Sequence, residues 1–150
     1  MTSYGWQPMV RTIPLDGPEE LLDLTECFPD TNGPVSIEVA HKPEQTQRDL
    51  LNRNSQPITW GFRGEAKMEF EVGSTEQVFW LSTMVNRLAS EQWACSLSLD
   101  GGVTWRDVVM AAFTGPKPLG GKVFAGAAYS LTVRTKELLA EIPPLGVGVW

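Results

Sequence analysis

A single histidine and two cysteines in 150 residues leave little material for metal or thiol chemistry. Cys27 and Cys95 are too few and too far apart for a disulfide framework or a zinc knuckle, and they read as two buried thiols. One His with two distant Cys also falls short of a typical zinc site. No Walker loop, dinucleotide-binding fingerprint, HExxH motif or EF-hand loop occurs, so the sequence predicts no cofactor and no metal. Basic charge is scarce too, with 12 Lys and Arg against 18 Asp and Glu and a net charge of −6. Proteins that grip phosphate backbones cluster Lys and Arg to displace counterions, which argues against tight DNA binding here. No apolar run approaches the ~20 residues that span a bilayer. The start, MTSYGWQPMVRTIPLDG, has neither the basic opening nor the continuous apolar stretch of a secretion signal, so synthesis in the cytoplasm is expected.

What is present is the composition of an ordinary globular protein, 42% apolar and 20% charged. The length suits one domain over residues 1–150. Folding at this size buries roughly 70% of the surface that the extended chain exposes. The clearest segment is ITWGFRGEAKMEFEV, residues 58–72. Ile58, Trp60, Phe62, Ala66, Met68, Phe70 and Val72 share one parity, and Glu65, Lys67, Glu69 and Glu71 the other, which marks a half-buried strand with Trp60 on the core side. At ~3.3 Å per residue it reaches about 50 Å, so it must bend at Gly61 or Gly64 or project from the body.

The period then changes. Val78, Leu81, Val85 and Leu88 recur at helical spacing, with Phe79, Trp80 and Met84 widening the stripe, and Ser74 with Gln77 forms a capping box. This predicts one amphipathic helix over about 75–90, packed on a sheet. WACSLSL and VTWRDVVMAAF read as a hairpin whose return strand slips in parity around Asp107–Val108. TGPKPLGG reads as a loop, and KVFAGAAYSLTVRT as a last long strand alternating through Val123, Ala125, Ala127, Tyr129, Leu131 and Val133. In the first third, LLDLTECF and PVSIEVA are strand candidates. Residues 41–57 form a polar loop or arm carrying His41, Lys42, Arg48 and Arg53, the candidate assembly residues. The stretch 137–150 is a C-terminal tail broken by Pro143 and Pro144. It ends on Trp150, a candidate anchor. The fold class expected is mainly β with one α-helix, an antiparallel β-sandwich or small barrel flanked by that helix.

Catalysis needs a nucleophile or activated water, a base and a group that orients the base. His41 sits beside Lys42 with no Asp or Ser pattern around it, and Glu65, Glu69 and Glu71 lie on the solvent parity of a strand. Nothing selects a glycosidase pair, and a non-enzymatic protein is expected. The stretch SLDGGVTW, residues 98–105, matches the Asp-box pattern at Ser98, Asp100, Gly102, Thr104 and Trp105, and resembles the repeated hairpin turns of sialidases and other propellers. Its duties are local. Asp100 accepts turn amides, glycine supplies positive φ, and Trp105 folds beneath the turn, giving a tight hairpin between Leu99 and Val103. A propeller needs such a box in every blade of about 40–45 residues, and this chain has one copy.

The order of parts is more telling: strand, polar loop, long strand, amphipathic helix, then a hairpin with LSLDGGVTWRDV and a final strand ending SLTVRTK. Over residues 35–136 this resembles the small tail proteins of tailed bacteriophages, among them tail-tube subunits and the N-terminal domain of distal tail proteins. That resemblance implies a virion structural protein, made in the host cytoplasm and located in the tail (tube, distal tail or baseplate, or neck). It implies a homo-oligomeric ring whose joined sheets line a channel, contacts with other phage tail proteins, and no membrane. An acidic subunit suits a channel through which DNA slides without being bound. The alternative is a carbohydrate- or protein-binding β-sandwich module presenting Tyr4, Trp6, Trp60 or Trp150 to a ligand.

Overall fold

The computed structural model describes residues 6–29, 33–49, 55–118, 126–142 and 150. The chain is mainly β and antiparallel, with one long helix. Seven strands run β1 Met9–Pro14, β2 Glu20–Asp23, β3 Ser36–Asp49, β4 Ser55–Val72, β5 Trp93–Ser98, β6 Arg106–Pro118 and β7 Ala127–Thr135. A one-turn helix, α1 Leu24–Cys27, follows β2, and α2 Thr75–Ala89 joins β4 to β5. The strand order is β2-β1-β5-β6-β7-β4-β3. Only two residue pairs, Ser96↔Asp107 and Leu97↔Arg106, link β5 to β6, so the sheet has two halves hinged at this point. The halves fold onto one core. Phe28, which follows the edge strand β2, packs with its ring tilted 42° at 5.0 Å from Phe70 of β4, near the other end of the strand order.

The inward residues of β4 are Ala66, Met68, Phe70 and Val72, all fully buried, as the alternation predicts. They meet Leu131 and Val133 of β7, Val10 and Leu97 of the other half, and Leu81, Met84 and Leu88 of α2. Side chains of this size each contribute about 1.5–3 kcal/mol when fully buried. The helix cap is as expected, with Ser74 Oγ accepting from the Gln77 amide at 3.3 Å. Gln77 reaches one residue further back than a standard box, its Oε1 accepting from the Gly73 amide at 2.8 Å. The buried stripe of α2 is Gln77, Leu81, Met84 and Leu88, and Val78 and Phe79 of the predicted stripe are exposed instead. Arg87 ties the helix end to the first half through Thr12 Oγ1 at 3.1 Å and Glu20 Oε2 at 2.7 Å, with its guanidinium over Trp93.

Several expectations are corrected. LLDLTECF is half strand and half helix, because Asp23 accepts from the Thr25 amide and hydroxyl and so starts α1. The parity slip in β6 falls at Met110/Ala112 and Thr114/Lys117 rather than near Asp107, and TGPKP belongs to that strand. Val123 and Ala125 lie outside the described residues. Cys95 is buried but Cys27 only half-buried, and both are free thiols. Burial pushes each thiol up to about 11, with Asp23 and Glu26 adding to the effect at Cys27, so neither is a thiolate near neutral pH. Trp60, read as core, is 65% exposed. Of the loop or arm expected over 41–57, the described residues are paired strand: β3 runs on to Asp49 and β4 starts at Ser55, paired from Lys42↔Arg63 to Asp49↔Ser55 with one shift between Glu44 and Gln45.

SLDGGVTW forms the whole connection between β5 and β6, wider than a tight hairpin since pairing stops at Leu97↔Arg106. Ser98 Oγ donates to Asp100 Oδ1 at 2.7 Å and accepts from the Gly102 amide at 2.9 Å, and the same Oδ1 accepts from the Thr104 amide at 2.9 Å. Gly102 has φ +94°, a region in which a side chain is strained, and a Cβ there would stand 3.6 Å from the Trp105 ring beneath it. Arg11 stacks on that ring at 4.6 Å. Burial alone raises the Asp100 carboxyl, but hydrogen bonds from Thr104 and Ser98 outweigh it and hold the group below its ordinary value. Asp100→Ala should therefore lower stability by about 1 kcal/mol at neutral pH, the scale of one net hydrogen bond. The gap between variant and wild type should be full above about 4, the ordinary carboxyl value, and narrow as pH falls through the lower value of the folded chain. Denaturant melts at several pH values check both points.

Candidate functional site

Beyond the Glu65↔Arg134 pair, β7 no longer accompanies β4, and β3 and β4 continue as a two-stranded ribbon. Residues 55–64 of this arm extend about 30 Å at ~3.3 Å per residue. Diagonal ion pairs lace it, Lys42 to Glu65 Oε2 at 2.9 Å and Arg63 to Glu44 Oε1 at 2.9 Å. Both pairs are exposed and each is worth only about 0.2–1 kcal/mol. The firmer brace is at the base. Phe62 and Leu139 exchange amide-to-carbonyl bonds of 2.8 and 2.7 Å, and Arg63 Nη1 donates to the Thr135 carbonyl at 2.8 Å. The register shifts between Glu44 and Gln45, opposite Gly61 and Thr59, leaving Trp60 as the extra residue of a bulge. Gly61 has φ +155° and lies so near the 138–139 segment that a Cβ would stand 2.9 Å from the Leu139 carbonyl oxygen.

The candidate assembly residues separate. His41 pairs in register with Gly64 and points inward at the arm's base, whereas Lys42 faces out to Glu65. Burial lowers the His41 imidazole below its ordinary value, and Arg106 lowers it further. Arg48 is in β3, and Arg53 lies outside the described residues. The turn residues Ser98, Asp100, Gly102, Thr104 and Trp105 stand together between β5 and β6, and Trp105 lines a pocket with Leu138 and Leu139. Trp150 is 1% exposed, sunk in the chain's own core, with its main-chain oxygen accepting from Arg106 Nε at 3.1 Å. Residues 143–149 of the tail lie outside the described residues. Of the tryptophans considered for ligand stacking, Trp6 packs partly against the core and Trp60 stands out on the arm. Tyr4 lies outside the described residues.

Sequence reasoning missed the surface that the second half of the sheet presents. Alternation places Ser36, Glu38 and Ala40 of β3 on the outer face, beside Glu65, Lys67, Glu69 and Glu71 of β4 and Ala128, Ser130, Thr132 and Arg134 of β7. Four carboxylates there face two cations, among otherwise small residues. The face is flanked by two strand edges without a strand partner among the described residues: the outer edge of β3, and that of β6 from Val108 onward. The signal was in the sequence, as the solvent parity of β4, but the neighbours that complete the face come from register. A cleft of about 530 Å³ opens where β5 and β6 part, lined by Leu88, Trp93, Cys95, Val108, Met110 and Lys136 among others. No group of three or more His, Cys, Asp or Glu among the described residues has the geometry to hold a metal ion.

Gly61→Val should lower stability by about 1–3 kcal/mol, since the bulge backbone and the Leu139 carbonyl both resist a side chain. Faster hydrogen exchange at the Phe62 and Leu139 amides should accompany the loss, and unchanged exchange would mean that the base tolerates the added group.

Neither a protein-family model nor a curated protein sequence matches the chain. Among solved structures it is similar to a chain of the anti-feeding prophage baseplate, with 8% identity and a TM-score of 0.47, covering 95% of this chain and 99% of that one. It is also similar to a chain of the sheath-tube complex of an extracellular contractile injection system in the extended state, with 12% identity and a TM-score of 0.41 over 93% and 89% of the two chains. A third similarity is to a chain of the sheath/tube terminator of such a system, with 11% identity and a TM-score of 0.41 over 95% and 96%.

Proposed function

We propose that this chain is a non-enzymatic structural subunit of a phage tail or tail-like particle, assembled with copies of itself into a ring around a channel. The observation that carries the reading is a pair of edges, β3 and β6, without a strand partner among the described residues, on opposite sides of one four-stranded sheet. Edges of this kind invite pairing, and a soluble protein either covers them or uses them. Pairing β3 of one copy with β6 of the next is a head-to-tail contact, which closes into a ring when the rotation permits. The joined sheets then present their outer faces together. Those faces are small, polar and net acidic, so they repel phosphate and let DNA pass without holding it. The arm extends from the same sheet and would reach other tail proteins. Tube, distal tail, baseplate and neck positions are all compatible with these features.

A second reading, a carbohydrate- or protein-binding module, is favoured by the exposed Trp60, since tryptophan is a common interface anchor. Fluorescence that stays unchanged on titration with sugars, together with an inert glycan array, would remove its carbohydrate form.

Negative-stain microscopy and sedimentation at high protein concentration test the leading reading. Rings or tubes are expected, and a clean monomer with no assemblies would overturn it. Glu38→Lys with Glu69→Lys and Glu71→Lys should convert the sheet face to a DNA-binding one. Duplex DNA should be retarded by that variant and not by the wild type at about 0.15 M salt, with the variant's binding falling steeply as salt rises.

A further inference from the structure

Where the arm joins the body, His41, Gly64, Thr135 and Trp150 meet. A Cβ placed on Gly64 would stand 3.2 Å from Thr135 Cγ2, 3.4 Å from Trp150 Cε3 and 3.5 Å from His41 Cδ2, so the imidazole and the indole converge on the same bare backbone. The Gly64 amide donates to Thr135 Oγ1 at 3.1 Å. Two polar atoms of this cluster, His41 Nε2 and Trp150 Nε1, are shielded from solvent and have no hydrogen-bond partner among the described residues. Buried polar atoms are nearly always paired, and two orphans in one cluster mark a place where stability has been given up.

The charges around the imidazole are arranged against a second proton. Arg106, whose Nε donates to the main-chain oxygen of Trp150, is positive and acts on His41 in the same direction as burial. Lys42 with Glu65, and Arg63 with Glu44, are paired with each other on the opposite face of the ribbon. Arg134 faces outward on β7, and Asp107 of β6 accepts from Ser96 Oγ at 2.8 Å. A cationic imidazole would donate from both nitrogens, and Nε2 has no acceptor. Its neutral form is therefore the one that fits.

We infer that the base of the arm is an acid-opened latch, in which neutral His41 lets Trp150 seat beside Gly64 and a proton on His41 drives Trp150 out and loosens the arm from the body. The inference stands on this cluster alone and does not depend on ring assembly. The sign follows from the direction of the His41 shift. A base held below its ordinary 6.5 in the folded chain stabilises the fold fully above that pH, and the contribution is lost as pH falls through the lower, folded-state value.

His41 is the sole histidine, so one set of imidazole signals in a carbon–proton correlation spectrum reports it without assignment. Its midpoint is expected below 6.5, and a midpoint at or above 6.5 overturns the inference. Hydrogen exchange, corrected for intrinsic rates, is then compared at about pH 7.5 and about pH 5. The Gly64 and Leu139 amides should exchange about tenfold faster in acid, whereas the Leu131 and Met68 amides should not. Equal exchange at both pH values overturns the latch. His41→Gln should abolish the acid acceleration, and its persistence in that variant would assign it to another group. If His41→Gln does not fold, the wild-type titration and exchange decide the matter by themselves.

Discussion

The apolar side of β4 is the constraint on which the other elements depend. Ala66, Met68, Phe70 and Val72 are fully buried, and they meet residues from β7, from α2 and from the half of the sheet that contains β1 and β5. The contact of Phe70 with Phe28 obliges a seven-stranded sheet to curl until its two ends share a core. The narrow link between β5 and β6 makes that curl possible, because two residue pairs impose little on the relative direction of the halves. The outer face of β4 is freed by the same arrangement. With all apolar partners recruited to one side, the other side can carry glutamates and small residues without cost to the core.

What could be read from the sequence was the part governed by contrast between two faces. Residues 66–72 alternate between apolar and charged groups, and the structure places them accordingly. The Ser74 cap needed only local hydrogen-bond chemistry. Trp60 shows where such reading stops: parity names the face of a strand but not whether anything covers it, and β4 outruns the body. Residues 41–57 read as a loop or arm because they are polar and hold one apolar pair, Leu50-Leu51. A two-stranded ribbon needs cross-strand pairing more than burial, and a sequence without an apolar face gives no sign of that pairing. The strand β1 escaped notice because its inward positions are Val10 and the polar Thr12, too short a pattern to register.

The candidate surfaces follow the same division. The turn at 98–105 was visible as a motif, and its side-chain hydrogen bonds close within the loop, while its backbone is tied to Gln7 by the Gly101 amide and the Leu99 carbonyl. The features that point outward were assembled from strands far apart in sequence, and only register brings Glu38, Lys67 and Thr132 into one row. Trp150 is the opposite case. Its position after two prolines suggested a group reaching for another molecule, yet its indole packs with Gly64 at the root of the arm.

The prolines on the edge strands set a length. Proline has no amide hydrogen to offer a new neighbour, and within sheets it occurs where the nitrogen side faces outward. Pro43 interrupts the open edge of β3, leaving residues 36–42 before it, and Pro116 interrupts that of β6, leaving residues 108–114 before the irregular Gly115. The two usable stretches are equally long, about 23 Å at ~3.3 Å per residue. A strand added at either side can hydrogen-bond without a missing donor over that span, so the two edges carry matched rulers for the uninterrupted part of a seam.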